Sequence, residues 1–92
     1  MKEFFYRVNS GESLVSICRR FNASIETTIK ENLLNSEVEE GDLLLIKSYN
    51  NVYIAKAGDS YQSIANKFNV LKANLLEKNN LEYVFYGLPI II

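Results

Sequence analysis

Two kinds of hydrophobic spacing follow one another along the chain, and then do so again. Phe4, Tyr6 and Val8 recur at every second position, which places them on one face of a β-strand. Asn9-Ser10-Gly11-Glu12 reads as a turn, with Gly11 able to take a positive φ. Leu14, Ile17, Cys18 and Phe21 then fall at i, i+3, i+4 and i+7, the stripe of a short amphipathic helix. Ser13 is placed to cap its start, Glu12 lies beside its positive end, and Asn22 suits a left-handed C-cap. A second helix is predicted from Ser24, its N-cap, through Ile25 and Ile29 to Asn32. A loop to Gly41 and a closing strand over residues 43–47 complete the unit.

The same pattern returns after a shift of 47 residues. Tyr6, Gly11, Ser13, Ser16, Ile17, Phe21, Asn22 and Asn32 fall on Tyr53, Gly58, Ser60, Ser63, Ile64, Phe68, Asn69 and Asn79. These are eight identities in 27 ungapped positions, where average residue usage gives roughly two by chance. After one deletion, Gly41, Leu44 and Ile46 match Gly87, Ile90 and Ile92. The expected fold is therefore α+β, with two tandem βααβ units, each a two-stranded antiparallel sheet packed on two helices. The units are expected at residues 1–47 and 52–92, joined by a linker at 48–51 too short for them to tumble freely. A short duplicated module points to binding with avidity rather than to one deep active site.

Charge narrows the ligand. Net charge is −1, and neither half carries the basic stripe that phosphate contacts require, so nucleic acid is not expected. The chain has no His, which removes the commonest general base and metal ligand. The one repeated acid, Glu12/Asp59, has no repeated partner, whereas a glycosidase needs two carboxylates about 5–10 Å apart. Catalysis is not expected, nor is a cofactor. The loop acids Glu37, Glu39, Glu40 and Asp42 are read as solvated rather than as a cation site. The lone Cys18 aligns with Ala65 and reads as a small buried residue, not a reactive thiol. The apolar end at residues 88–92 is too short to span a bilayer. Met-Lys-Glu leads straight into strand-like sequence without a signal peptide. That predicts cytoplasmic synthesis with cell-wall, spore-coat or phage-particle association, or a domain excised from a larger cell-wall protein.

From Tyr53 to Asn69, the run Tyr-Ile-Ala-Lys-Ala-Gly-Asp-Ser-Tyr-Gln-Ser-Ile-Ala-Asn-Lys-Phe-Asn resembles the start of a LysM domain. Asn79-Asn80-Leu81, Gly87 and Ile90-Ile91-Ile92 resemble its end. The first repeat is similar through Tyr6-Arg7-Val8, Gly11-Glu12-Ser13-Leu14, Ile17-Cys18, Phe21, Asn32 and residues 41–46. The resemblance implies recognition of N-acetylglucosamine polymers, bacterial peptidoglycan or chitin, in a shallow groove. One wall of that groove is the first strand–helix turn; the other is the loop before the last strand. In the second repeat it implies Gly58, Asp59, Ser60 and Tyr61 facing Asn80, Leu81, Tyr86 and Gly87. In the first it implies Gly11, Glu12, Ser13 and Leu14 facing Leu33, Leu34, Glu40 and Gly41.

The chain departs from the family pattern in three places. Glu40-Gly41-Asp42 and Tyr86-Gly87-Leu88 replace the frequent Pro-Gly-Gln. Thr28 stands where a leucine is usual and should weaken the first core. The loop 35–40 adds acid near the first groove, so the second repeat is expected to be the better binder. The turn residues also have a purely structural reading, as caps and helix-start charges. A protein–protein assembly module, docking on another protein or on itself, is the alternative function. Phe4-Phe5 and the apolar residues 88–92 would then form a sheet-edge contact.

Overall fold

The computed structural model describes residues 1–92 and contains eight elements. The first unit comprises β1 (Lys2–Arg7), α1 (Leu14–Phe21), α2 (Ile25–Glu31) and β2 (Leu43–Ser48). The second comprises β3 (Val52–Ile54), α3 (Tyr61–Phe68), α4 (Lys72–Asn79) and β4 (Pro89–Ile91). β1 pairs antiparallel with β2, and β3 with β4, in two separate two-stranded sheets. The fold is α+β and built of two βααβ units, as the duplicated pattern predicts.

Register accounts for the alternation in the strands. Phe4 faces Ile46 and Tyr6 faces Leu44 across the first sheet, and Tyr53 faces Ile90 across the second. Leu44, Ile46 and Ile90 are fully buried and join the helix stripe Ile17, Cys18, Ile64 and Ala65 in one core that runs through both units. Phe21 packs instead at the margin, edge-on against Phe4 and Tyr6 with centroids 5.0 and 4.9 Å away. Phe68 stands in the same relation to Tyr53 at 5.3 Å. The apolar C-terminal segment is core rather than docking surface, since Leu88, Ile90 and Ile91 are buried. Phe5, on the other face of β1, is the exposed member of the N-terminal pair.

Conserved spacing between the repeats has local causes. Ser13 and Ser60 cap α1 and α3, and in each case the serine three residues on returns a hydrogen bond to the cap backbone. That reciprocal box explains why Ser16 and Ser63 repeat. Asn22 and Asn69 close the same helices in the left-handed conformation, at φ 56° and 55°. Thr28 is better accommodated than a hydroxyl in place of leucine suggests. It is buried, donates to the Ser24 carbonyl at 2.7 Å and accepts from the Cys18 thiol at 3.5 Å. The pair Cys18–Thr28 thus fills the space that Ala65–Leu75 fills in the second unit. Burial pushes the Cys18 thiol up to about 11, so it is inert at neutral pH.

Two side-chain devices hold each unit together. The Asn32 amide donates to Leu45 C=O and accepts from Leu45 N–H, at 3.0 and 2.7 Å. Asn79 makes the same pair with Ile91, at 2.9 and 2.7 Å, and is itself 4% exposed. The second device is a tyrosine–acid lock. Tyr6 donates to Glu12 at 2.7 Å, and Glu12 also accepts the Asn9 N–H at 2.7 Å. Tyr53 donates to Asp59 at 2.7 Å, and Asp59 accepts the Lys56 N–H at 2.8 Å. The repeated acid is therefore fixed by the strand before it.

Removing the clamp leaves buried backbone groups of Ile91 without partners. Asn79→Ala is expected to cost about 2–4 kcal/mol in urea unfolding, and Asn32→Ala, in a less buried setting, about 1–3 kcal/mol.

The lock predicts the pH dependence. Hydrogen bonding from Tyr6 and the Asn9 N–H holds the Glu12 carboxyl below its ordinary range; the Lys56 N–H and Tyr53 do so for Asp59. Folded carboxylates then bind fewer protons than unfolded ones, so this stabilisation is present above about pH 4 and is lost as pH falls further. Hydrogen bonds to the same acids raise the Tyr6 and Tyr53 phenols. Their contribution is full below about pH 10 and is lost above it. Melting temperature against pH should fall at both ends, and less steeply in Tyr6→Phe/Tyr53→Phe.

Candidate ligand-binding groove

The second unit places two loops opposite each other. The first is the turn from β3 into α3, closed by Asp59 N–H donating to Lys56 C=O at 3.1 Å, with Gly58 at φ 84°. The second is the loop between α4 and β4. Between them lies an open cavity of about 450 Å³ lined by Asp59, Ser60, Tyr61, Gln62, Lys72, Glu82, Tyr83 and Val84. A cavity of similar size, about 430 Å³, sits among Met1, residues 49–51, Lys78, Ile91 and Ile92, and involves neither turn.

The groove is chemically mixed. Tyr83 is 66% exposed and presents an aromatic face. Lys72 and Glu82 are exposed and take part in no ion pair. The Tyr61 N–H, at the first helical position, has no protein acceptor, whereas the Ser63 N–H two residues on is taken by Ser60. Tyr61 is 4% exposed, and its hydroxyl is buried without a hydrogen-bond partner. Burial alone raises its phenol. Asp59 has its carboxylate turned to Tyr53 and the Lys56 N–H, with Ser63 Oγ a further donor at 3.4 Å.

Of the residues singled out in the second repeat, Asp59, Ser60 and Tyr61 line this cavity, and Gly58 sits in the turn beside it. Asn80 ends α4 at φ 57°, and Leu81 packs half-buried on the core. Tyr86 and Gly87 line another cavity, of about 290 Å³, with Arg19, Ile54, Ala55 and Lys56. Arg19 Nε donates to Gly87 C=O at 3.0 Å there. The family resemblance implies a second wall of Asn80, Leu81, Tyr86 and Gly87. The cavity beside the turn is bounded by Glu82, Tyr83 and Val84 of that loop, with Gln62 and Lys72 from the two helices. The one usable signal was the exposed-type aromatic and acid at positions 82–83, outside any hydrophobic period.

The first unit has the same scaffold and a different groove. Gly11 takes φ 82°, Ser13 caps α1, and Leu14 is buried. The Leu14 N–H, equivalent to that of Tyr61, donates at 2.7 Å to Glu37 Oε1, which also accepts the Val38 N–H at 2.9 Å. No cavity is lined by residues 11–14. Leu33 is exposed at φ 54°, and Leu34 packs half-buried on the core. Glu40 is exposed, and the Gly41 N–H returns to Val8 C=O at 2.8 Å. The loop acids do not converge: Glu37 turns to Leu14, and Asp42 accepts the Glu39 N–H at 2.9 Å.

Comparison with known proteins gives this geometry a family. The model of the LysM domain matches residues 6–47 and again residues 53–82. A search of curated proteins finds no match. Among solved structures, the chain is similar to the spore cortex-lytic enzyme SleL of Bacillus cereus. Identity is 26%, with a TM-score of 0.51, over 100% of this chain and 22% of that one. SleL of Bacillus megaterium QM B1551 also aligns, at 26% identity over 96% of this chain and 22% of the other, with a TM-score of 0.49. The chain thus spans about a fifth of the length of these proteins. LysM domains are non-catalytic modules that bind N-acetylglucosamine-containing polymers such as peptidoglycan and chitin. Matched twice and over most of its length, the chain belongs to the LysM family as a tandem pair of domains.

Proposed function

We propose that this chain binds N-acetylglucosamine polymers, peptidoglycan above all, in the groove of its second repeat, and carries out no chemistry on them. The open cavity lined by Tyr61, a residue whose backbone N–H has no protein acceptor, is the observation that carries this reading. An acetamido carbonyl is a neutral acceptor of the right kind, and the exposed Tyr83 ring offers a face to sugar C–H groups. Ser60, Gln62 and Lys72 add polar groups along the rim, and Gly58 lets the turn approach the ligand closely. Leu81 and Asn80 shape the facing loop. Each sugar contributes little in so shallow a site, so affinity should grow with chain length.

Two carboxylates, Asp59 and Glu82, line the cavity, yet they do not form a hydrolytic pair in this reading. A general acid needs a raised pKa, and Asp59 is held below its ordinary range by the Lys56 N–H and Tyr53. Cell wall or spore cortex is the expected place of action, given the cortex-lytic enzymes to which the chain is similar. No helix is long and apolar enough to cross a membrane. Docking on a protein partner through the apolar C-terminal strand has little to offer, since that strand is core.

Titration of labelled protein with N-acetylglucosamine oligomers should shift the amides of residues 58–62 and 82–84, more strongly with longer oligomers. Unmoved amides at millimolar oligomer would sink the reading. Tyr83→Ala should weaken binding about 3- to 10-fold without changing the melting temperature by more than a degree or two. Neither protein should release soluble sugar from purified cell wall.

A further inference from the structure

The two repeats present the same backbone donor to their grooves, and only one of those donors is free. At the first helical position, the Leu14 N–H is held by Glu37 at 2.7 Å, and the Tyr61 N–H is not held at all. Aligning Gly41 with Gly87 puts Glu37 at the position of Tyr83, the exposed aromatic wall of the second groove. Both residues lie on the loop before the last strand of their repeat. One sends a carboxylate across to the opposite wall, and the other leaves a cavity between the walls.

We propose that Glu37 acts as a built-in occupant of the first groove, its carboxylate oxygen standing where a ligand carbonyl oxygen would accept from Leu14 N–H. The tandem pair is then a single-site receptor: the second repeat is open and the first is closed from within. This rests on the sugar-binding reading of the second groove and goes beyond it, because it assigns Glu37 the role of selecting which repeat binds. The chemistry favours the occupant. A charge-assisted hydrogen bond is stronger than one to a neutral amide oxygen, and the carboxylate is tethered and meets the positive end of α1. The second bond, from Val38 N–H, fixes the same oxygen from its own loop. A neutral sugar must displace both.

A plainer role is also available to Glu37, as a remote cap that merely stabilises the start of α1. The two roles separate by experiment. Wild type, Glu37→Ala and Glu37→Gln are titrated with the same N-acetylglucosamine oligomer while amides in both repeats are followed, and each melting curve is recorded. In the wild type, shifts should be confined to the second repeat, with one oligomer bound per chain. Glu37→Ala should gain shifts at residues 11–14 and a second site, tighter at the first repeat by roughly 10-fold or more than in the wild type. Glu37→Gln keeps the tethered acceptor oxygen but loses the charge, and should gain less at residues 11–14 than Glu37→Ala does. Equal shifts in both repeats of the wild type would overturn the proposal. So would second-repeat binding in a folded Glu37→Ala variant that gains nothing at residues 11–14, which is the outcome a simple cap predicts. Absence of binding in every variant would instead overturn the sugar-binding reading, and the closed-receptor proposal with it.

Discussion

Each sheet has only two strands, so one edge of its closing strand must be satisfied by something other than a strand. Asn32 and Asn79 supply that edge. Their amides pair with both the N–H and the C=O of Leu45 and Ile91, as a third strand would. Because each asparagine sits at the end of the second helix, the same contact fixes helix against strand. The loop between them is thereby held at both ends, and it is this loop that forms one wall of the groove. A short unit buries too little surface to position such a loop by packing alone. Directional hydrogen bonds take over that task.

The opposite wall is set by the tyrosine–acid lock. Tyr6 and Tyr53 lie on the opening strands, six residues before the acids they hold, and each acid also closes its own turn through a backbone N–H. Cations late in the first helix of each repeat lie over the same rings: Arg20 over Tyr6 at 5.8 Å and Lys67 over Tyr53 at 4.8 Å. Strand, turn and helix are thus joined by one cluster in each repeat. The acid that the family pattern places at the groove is mainly a part of this frame.

Much of this was legible because it depends on local periodicity. Alternation gave β1, the i, i+3, i+4, i+7 stripe gave α1 and α3, and the duplicated serines and asparagines marked their caps. Duplication itself separated Cys18 from chemistry, because Ala65 stands in its place. What escaped were contacts between residues far apart in sequence whose types have several uses. Asn32 and Asn79 could be seen to repeat, but nothing local shows that their amides reach Leu45 and Ile91. Glu12 and Asp59 read equally well as helix-start charges, and their tyrosine partners lie on another element. Tyr83 and Glu37 sit in a loop with no period, so geometry alone could show which of them faces the opposite turn. Thr28 was legible as an anomaly and not as a solution, since its partner Cys18 lies on a different helix.

The two repeats agree where the frame is made and differ where the groove is made. That division has a physical basis, because the frame contacts are directional bonds repeated in both units, whereas the loop before the last strand differs, with Glu37 bonded to Leu14 N–H in one unit and Tyr83 exposed in the other. The first repeat also reaches into the second. Arg19 Nε donates to Gly87 C=O, its guanidinium lying against the open side of Gly87, where the φ of 86° favours glycine. The core is continuous across the pair, and the Tyr49 N–H after β2 donates back to Asn22 C=O at 3.0 Å. A first repeat that keeps its frame intact therefore supports the second whatever its own groove does, since Arg19 holds the turn that leads into β4. Loss of binding in one copy of a duplicated module costs avidity and leaves this support in place.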